Sequence, residues 1–569
     1  MIFQALIALY DRLYEEQEEG KERELPPLGF SREDIGFAIT IDREGNLIGE
    51  PQDWRKKINS QRYEYHISTV PYANEVNVRT GNAATTPNFM VDKAAYIFGM
   101  FGTSKKKTHR DSFRNLINVV CGSSQDEGIL AVKSFLTKWN PKESANLPYW
   151  EEICGPHGKW VAFELEGRRG FIHEHSEVQK LWKDFVGRRE YPRGISLVDG
   201  QKCNLQTQYA QFPFGTGASL VSFNEAAYES YGKSRGENAP ISMEAEFKSS
   251  TALKHLLRSN SQRLRIGDAT TLFWAERQTP IENFLGVILD PKDENADVPV
   301  RNFLGAAQRG KLPDELGEDG DIKFYILGLA LNKARLALRF WYVCAVEELT
   351  RRLGKHFQHL EMERVSERDI KYPGVWHLLR ETARETKDIS PVLGGALMRA
   401  ILAGAPYPMN LYQGVMGRIR ADRRISYLRA SILKAVLERN HNKEIPMSLN
   451  TENREPAYLL GRLFAVLEKA QLDALGNINT TIKDRYFNAA ASTPGSVFPR
   501  LLQLSQHHIE KAKYGSISDR RIGEIMEHIY IFPPRMNLQD QGLFAIGYYH
   551  QKNEIYKKKT NTVKGENHE

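Results

Sequence analysis

The stretch Phe324–Val343, FYILGLALNKARLALRFWYV, divides this chain into two kinds of sequence. Phe324 to Leu331 and Arg335 to Val343 are runs of β-branched, aromatic and aliphatic residues interrupted by Asn332-Lys333-Ala334, so two strands are expected there. From about Gly374 onward no convincing strand follows. Helical periodicity fits 376–386, 391–403, 408–417, 426–440, 456–475, 480–491, 494–513 and 518–530. Upstream of Phe324, residues 291–320 (PKDENADVPVRNFLGAAQRGKLPDELGEDG) hold many acids, prolines and glycines and read as an insertion or linker.

Further upstream the signals alternate. Residues 1–20 are helical by period, with Ile2, Ala5, Leu6, Leu9 and Leu13 on one face and Gly20 as the stop. Ile35 to Pro51 reads as strand, turn at Arg43–Asn46, strand. Tyr63 to Ile67 is a further strand. Helices are expected over 111–120, 127–139 and 178–186, and a strand over Trp160–Leu165. Ser222 or Asn224 would cap a helix beginning at Glu225. Ser242 to Leu257 is a strong helix, with Glu244 and Glu246 early and Lys254, His255 and Arg258 late, as the helix dipole favours. The fold class is therefore α+β: a mixed α/β region over 1–373, then a helical bundle over 374–569.

The total of 569 residues exceeds one core, and about two to four domains are expected. With 78 basic and 71 acidic residues the net charge is +7, which permits nucleic-acid contact without requiring it. Cys121, Cys154, Cys203 and Cys344 lie far apart, without zinc-ligand spacing, and read as reduced thiols of a cytoplasmic protein. The N-terminus has no basic region or cleavage site of a signal peptide. No run approaches the ~20 apolar residues of a membrane span.

One loop stands out. Asn74, Asn77, Asn82 and Asn88 are set among Gly81, Thr85, Thr86 and Pro87, residues that make turns. The apolar run Phe89–Val91 and Ala94–Ile97 pins the loop downstream. Lys105, Lys106, Lys107, His109 and Arg110 follow. Amides with a cationic patch behind them suit the reading of base edges while phosphates are held. The other reading is a long surface loop before a helix.

Catalytic constellations are scarce. Cys154 and His157 form a CxxH, and His173 and His175 flank Glu174, which are too few ligands for a metal site. There is no GxxxxGK[ST] and no GxSxG. Gly215 and Gly217 lack the third glycine of a dinucleotide fingerprint. Short basic clusters (Arg168-Arg169, Arg188-Arg189, Arg351-Arg352, and Arg418 to Arg424) each suit a solvated face, and together favour a chain that tracks phosphate backbones.

Several blocks occur in an order that is family-specific: VRTGN…PNFMVDKAAYIFG, LVSFNEAAYESYGKSRGENAPIS…TALKHLL, GDATTLFWA, YILGLALNKARLALRFW, and YLLGRLFAVLEKAQ…NTTIKDRYFNAAASTPGSVFPRLLQLSQHH. This series resembles the large subunit of the type I-C CRISPR surveillance complex, Cascade, over nearly the whole chain. The resemblance implies a subunit with no catalytic residues, cofactor or metal. Its partners would be the backbone, guide-end-capping and small subunits, the guide RNA, double-stranded target DNA and its displaced strand, and the helicase–nuclease, with no membrane. Such a subunit reads a protospacer-adjacent motif (PAM), promotes strand opening and R-loop formation, and offers a docking surface to the helicase–nuclease, while base pairing reads sequence. Under this implication Asn74, Asn77, Arg79, Asn82 and Asn88 are candidates for base edges, with Gly81 allowing close approach. Lys105, Lys106, Lys107 and Arg110 are candidates for phosphates. Asn88 alternatively caps the following helix.

Met447 follows Lys443-Glu444-Ile445-Pro446, and Lys-Glu is encodable as a purine-rich ribosome-binding sequence separated from the Met447 codon by two codons. The resemblance implies a small subunit made from an internal start, and Met447 is the candidate, giving 447–569 as a helical bundle. Arg462, Lys483, Arg485, Arg500, Arg520 and Arg521 are its candidates for strand-backbone contacts. Two rival readings are a nucleic-acid-processing enzyme with a site around His157, His173 and His175, and a pure scaffold.

Overall fold

The computed structural model describes residues 1–16, 25–59, 62–72, 86–206, 208–214, 217–223, 225–289, 302, 305–306, 319–332, 335–366, 368–476 and 478–557. The fold is α+β, mixed in the N-terminal region and helical in the C-terminal region. Two compact units are formed, one by 1–259 with 331–337, the other by 260–330 with 338–569; residue 373 falls inside the second. The candidates Asn74, Asn77, Arg79, Gly81 and Asn82, and nearly all of 291–320, lie outside the described residues.

In the first unit the long strand Phe30–Ile41 is central. It pairs antiparallel with Leu47–Asp53 and with His66–Pro71, and parallel with Trp160–Leu165. The turn expected at Arg43–Asn46 is held by Asp42, which accepts from the Asn46 backbone N–H at 2.7 Å. Parallel strands need a crossover, and here it carries the helices Lys107–Cys121 and Glu127–Lys138. Phe37, Ile39, Phe89, Phe98, Phe135 and Phe163 fill the core between sheet and helices. The expected strand over Tyr63–Ile67 is split: Arg62–Glu64 pairs with Lys56–Asn59 in an exposed hairpin, and His66 starts the strand on the central sheet. The helix expected from Glu225 is a single 3-10 turn, Ala226–Tyr228, without a side-chain cap.

In the second unit Arg263–Ile266, Ala269–Ala275 and Lys323–Asn332 form an antiparallel succession, with Arg335–Ala345 next in sheet order; the ends of these last two strands, 331–337, belong to the first unit. Helices follow from Val346. Pro391–Ala403 and Pro456–Leu475 have the expected bounds, each with proline in the first turn and glycine just after the end. The helix expected over 376–386 is short, Val375–Arg380, and that over 518–530 is Gly515–Met526.

Among the described residues, Ile281–Leu289 and Trp150–Cys154 are helices not expected from the sequence, and two longer ones join them. Val346–Leu360 buries Leu349, Leu353, Phe357 and Leu360, a 3–4 residue spacing that was present to be read. Leu538–Tyr556 buries every residue from Gln541 to Gln551 and therefore shows no periodicity. It packs along Pro456–Leu475. Gly461 and Gly547 make that approach possible, because a Cβ on Gly461 would overlap the Phe544 carbonyl oxygen and one on Gly547 that of Tyr458. Among the described residues, no helix is long and apolar enough to cross a membrane.

Candidate nucleic-acid interface

The downstream foot of the asparagine-rich loop is rigid for local reasons. Phe89, Met90 and Val91 have no exposure, and Phe89 stacks on Trp182 at 5.3 Å. Asp92 exchanges backbone hydrogen bonds with Val161, accepts from the Asn88 N–H at 2.8 Å through Oδ2, and accepts from the Lys93 N–H at 2.7 Å through Oδ1. The upstream foot is Tyr72, whose N–H donates to the Gly29 carbonyl at 2.9 Å. Both feet are thus fixed on the central sheet.

Tyr72 and Lys93 also line a recess of about 900 Å³ within the first unit. Its cations are Arg32, Lys93, Lys106, Lys254 and Arg258; Glu33 is its sole carboxylate among the described lining residues. Phe30, Tyr96, Phe101, Trp160, Phe212 and Phe247 supply aromatic wall, and His109 meets Tyr96 edge-on at 4.9 Å. Tyr72 and Trp160 lie 6.4 Å apart, with the Lys254 ammonium 6.0 Å from the Tyr72 ring.

The helix Met243–Arg258 carries three of the basic lining side chains, Lys254, His255 and Arg258. It starts where Ser242 Oγ accepts from the Ala245 N–H at 3.0 Å, so its C-terminal end, favourable to cations, faces the recess. Arg258 is held by donation to the Arg32 carbonyl at 2.7 Å and by Glu33 at 3.9 Å. Lys106 is positioned by its own N–H, which donates to the Gly99 carbonyl at 2.7 Å. Lys93 and Lys106 have no ion pair among the described residues. A concave surface lined by both cations and aromatic rings can bind a polyanion that carries flat bases.

The sequence candidates distribute unevenly around it. Lys106 is in the recess, and Lys105 and Lys107 are exposed beside it in sequence. Asn88 is fully buried, so its side chain faces the protein interior and not a groove. Arg110 donates to the carbonyls of Leu136 and Trp139 at 2.7 Å each, and burial lowers its guanidinium pKa. Both are supports for the site. Arg32, Lys93, Lys254 and Arg258 are absent from the sequence candidates: Lys254 and Arg258 share a helix at i, i+4, but no local spacing joins them to Arg32 or Lys93.

In the second unit Arg485, Arg500 and Arg520 are exposed and Arg521 is half-buried, with Arg520 near Glu524 at 3.6 Å. Arg462 is buried and donates to Gln551 at 3.1 Å, while Lys483 sits 5.4 Å from the Tyr548 ring and burial lowers its pKa. These two hold helices together. The histidines of the enzyme reading have structural partners: Tyr65 Oη lies 3.1 Å from His157 Nδ1, and His173 is fully buried against Ser68. His175 is buried as well. Among the described residues no group of three or more His, Cys, Asp and Glu side chains is placed to hold a metal ion.

The chain is thus a two-unit α+β protein with a cationic, aromatic recess in its first unit. Residues 6–556 match the CRISPR-associated protein family Cas_Csd1, and the chain belongs to that family of Cascade subunits. The match upholds the resemblance to the type I-C large subunit read from the sequence blocks. Comparison with curated proteins returns no match.

Proposed function

We propose that this chain is the DNA-recognition subunit of a type I-C surveillance complex: it reads the PAM on duplex DNA, promotes strand opening, helps hold the displaced strand, and offers a docking surface to the helicase–nuclease. It does so without catalysing a reaction itself. Its partners are the backbone, guide-end-capping and small subunits, the guide RNA and the target DNA, all in the cytoplasm.

The observation that carries the reading is the recess, with five cations against one carboxylate among its described lining residues, bordered by Tyr72 at the upstream foot of the loop. Asn74, Asn77, Arg79 and Asn82 supply base-edge donors and acceptors, with Gly81 for close approach. Lys105, Lys106 and Lys107 hold phosphates behind them. In the second unit Arg485, Arg500, Arg520 and Arg521 contact strand backbone. Membership of a family of Cascade subunits supports the role and the partners.

The test is a randomised-PAM binding screen of the assembled complex with Asn74, Arg79 and Asn82 each changed to alanine. Loss of a base contact is expected to cost ~1–3 kcal/mol at one PAM position only. Loss of a phosphate contact should weaken all sequences alike. Equal binding of duplexes with and without the PAM by the unaltered complex would overturn the reading.

We further propose that Met447 is an internal start. It lies in the connection between the helices Tyr427–His441 and Pro456–Leu475, so a chain begun there contains whole helices. Within the full chain these helices share a core with those before them: Tyr549 Oη donates to the Glu363 carbonyl at 2.8 Å, and Tyr412 Oη to that of Leu538 at 3.1 Å.

A further inference from the structure

We infer that the turn after the strand Arg193–Ile195 and the loop 225–238 form one protein-docking surface, with Ile195, Leu197 and Tyr231 as its anchors. Its occupant is a permanent protein subunit of the complex that presents an apolar groove edged by carboxylates. This deepens the partner reading above and rests on it, and it uses none of the residues placed there on DNA.

The hairpin is built the wrong way round for a surface that meets only water. Ser196 has no exposure, while its neighbours Ile195 and Leu197 are 65% and 72% exposed. A slip of one residue would turn the two aliphatic side chains in and the serine out. The register forbids it: Arg193–Ile195 pairs with Lys202–Asn204, and a Cβ on Gly194 would overlap the Leu205 side chain. Ser196 has its own inward task, its Oγ accepting from the Val198 and Asp199 N–H groups at 3.3 Å each.

The loop is fixed as firmly, although every residue from Glu225 to Arg235 is exposed. Its base is tied to the hairpin, where the Leu197 N–H donates to the Pro240 carbonyl at 2.8 Å. Asn238 accepts from the Ser230 N–H at 3.2 Å and donates to the carbonyls of Lys233 and Arg235 at 3.0 and 3.1 Å. The Ser234 N–H donates to Glu237 Oε2 at 2.9 Å, and the Arg335 guanidinium lies 4.3 Å from the Tyr228 ring. These contacts hold Tyr231 and Arg235 in left-handed backbone, at φ 51° and 46°, which strains any residue with a side chain. What the strain achieves is the display of Tyr231, 98% exposed.

The side chains favour a protein over a nucleic acid. Ile195 and Leu197 offer neither a ring for a base nor a charge for a phosphate, and large apolar groups held together in water mark protein contacts. Tyrosine and arginine are frequent anchors of such contacts, and a surface already rigid loses little freedom on binding. Permanent interfaces are the more apolar ones, which favours a fixed subunit over a partner that comes and goes. Charge defines the partner's rim. In 193–204 and 225–238 the cations Arg193, Lys202, Lys233 and Arg235 are exposed. Of the acids, Asp199 accepts from Ser242 Oγ at 2.6 Å and Glu237 is held by Ser234, which leaves Glu225 and Glu229 against four cations. Carboxylates on the facing groove complement that excess.

The experiment co-expresses the full chain with the other subunits and the guide RNA and purifies the complex through a tag on the backbone subunit. Native mass spectrometry over a dilution series, without DNA, measures how tightly the chain is retained. Leu197→Asp and Tyr231→Ala should each weaken retention by about 5- to 30-fold, and Arg235→Glu should weaken it by repelling the carboxylate rim. Val119→Asp, at a residue 69% exposed on Lys107–Cys121, is the control and should assemble as the unaltered chain. Thermal melts of the isolated variants check the fold; if Leu197→Asp melts early, Leu197→Ser with Tyr231→Ala carries the test. Unchanged retention of the Leu197 and Tyr231 variants overturns the inference. Variants that stay assembled but lose DNA binding, self-association or helicase–nuclease recruitment overturn it too, because the surface then serves another occupant. An unaltered chain that does not assemble with these subunits sinks the partner reading itself, whereas an unaltered chain and variants that assemble alike sink the docking surface alone.

Discussion

Ser68 and His173 meet in a fully buried pair, with Ser68 Oγ 2.9 Å from His173 Nε2. The hydroxyl has one proton, and it goes to Glu174 Oε1 at 2.7 Å. Ser68 must therefore accept from His173, which fixes the proton on Nε2. Burial, with His175 and His66 adding repulsion, lowers the His173 pKa to about 3.

A pH dependence follows from that pair. The folded-state pKa lies below the ordinary value of 6.5, so between pH 6.5 and about 3 the unfolded chain binds a proton that the folded chain refuses. The stability is present above 6.5 and is lost as pH falls through this window. At pH 4.5 the loss from His173 is expected to be ~2–3 kcal/mol relative to pH 7. Urea unfolding at both pH values, with His173→Gln flattening the difference, checks it.

Arg110 and Lys106 should separate stability from binding. Arg110→Ala leaves the Leu136 and Trp139 carbonyls without their donor, and a loss of about 1–3 kcal/mol is expected. Lys106→Ala should change stability by less than about 0.5 kcal/mol and reduce the salt slope of DNA binding by about one. Thermal melts and salt titrations on the same two proteins read both effects.

The helix pair Pro456–Leu475 and Leu538–Tyr556 is expected to reject any side chain at its closest approach. Gly461→Ala and Gly547→Ala each push a methyl group against a backbone carbonyl of the other helix. Each should destabilise the second unit by about 1–3 kcal/mol or more. Gly523→Ala, on Gly515–Met526, meets nothing within 4 Å and serves as the control.

Met447→Leu should abolish any shorter product without unfolding the full chain. The side chain is 47% exposed, and the contact at this position is made by the backbone, the Glu363 N–H donating to the Met447 carbonyl at 2.8 Å. Intact mass spectra of the expressed complex decide it. A shorter product of the same size persisting in the Leu variant, or no species beginning at Met447 in the parent, defeats the internal start.

The helices with one buried face were legible because local rules and tertiary needs agree. Val346–Leu360 buries Leu349, Leu353, Phe357 and Leu360 on one face, whereas Pro456–Leu475, buried all round from Ala457 to Glu468, was legible from its ends, a proline in the first turn and Gly476 just past the last. The helix at its centre, Leu538–Tyr556, was not legible. Its residues are buried on all sides, including Gln541, His550 and Gln551, and periodicity vanishes when no face meets water. The turn expected to become a helix at Glu225 failed for the opposite reason: none of the residues of Ala226–Tyr228 is buried, so no packing extends it.

For the candidate site the division is similar. The sequence by itself determined the family, the α+β class and the presence of a lysine run behind an asparagine-rich loop, because each is written in contiguous residues. Only the tertiary structure decided which of these face a common recess. Arg32 arrives on the central strand, Lys93 and Lys106 from the segment after the loop, and Lys254 and Arg258 at the end of a helix far along the chain. It also decided that Asn88 and Arg110, polar residues beside that loop, turn inward. The reason is that a polar side chain satisfied by a nearby carbonyl and one held out to a ligand are the same letter in the sequence. They part only when burial assigns the partner.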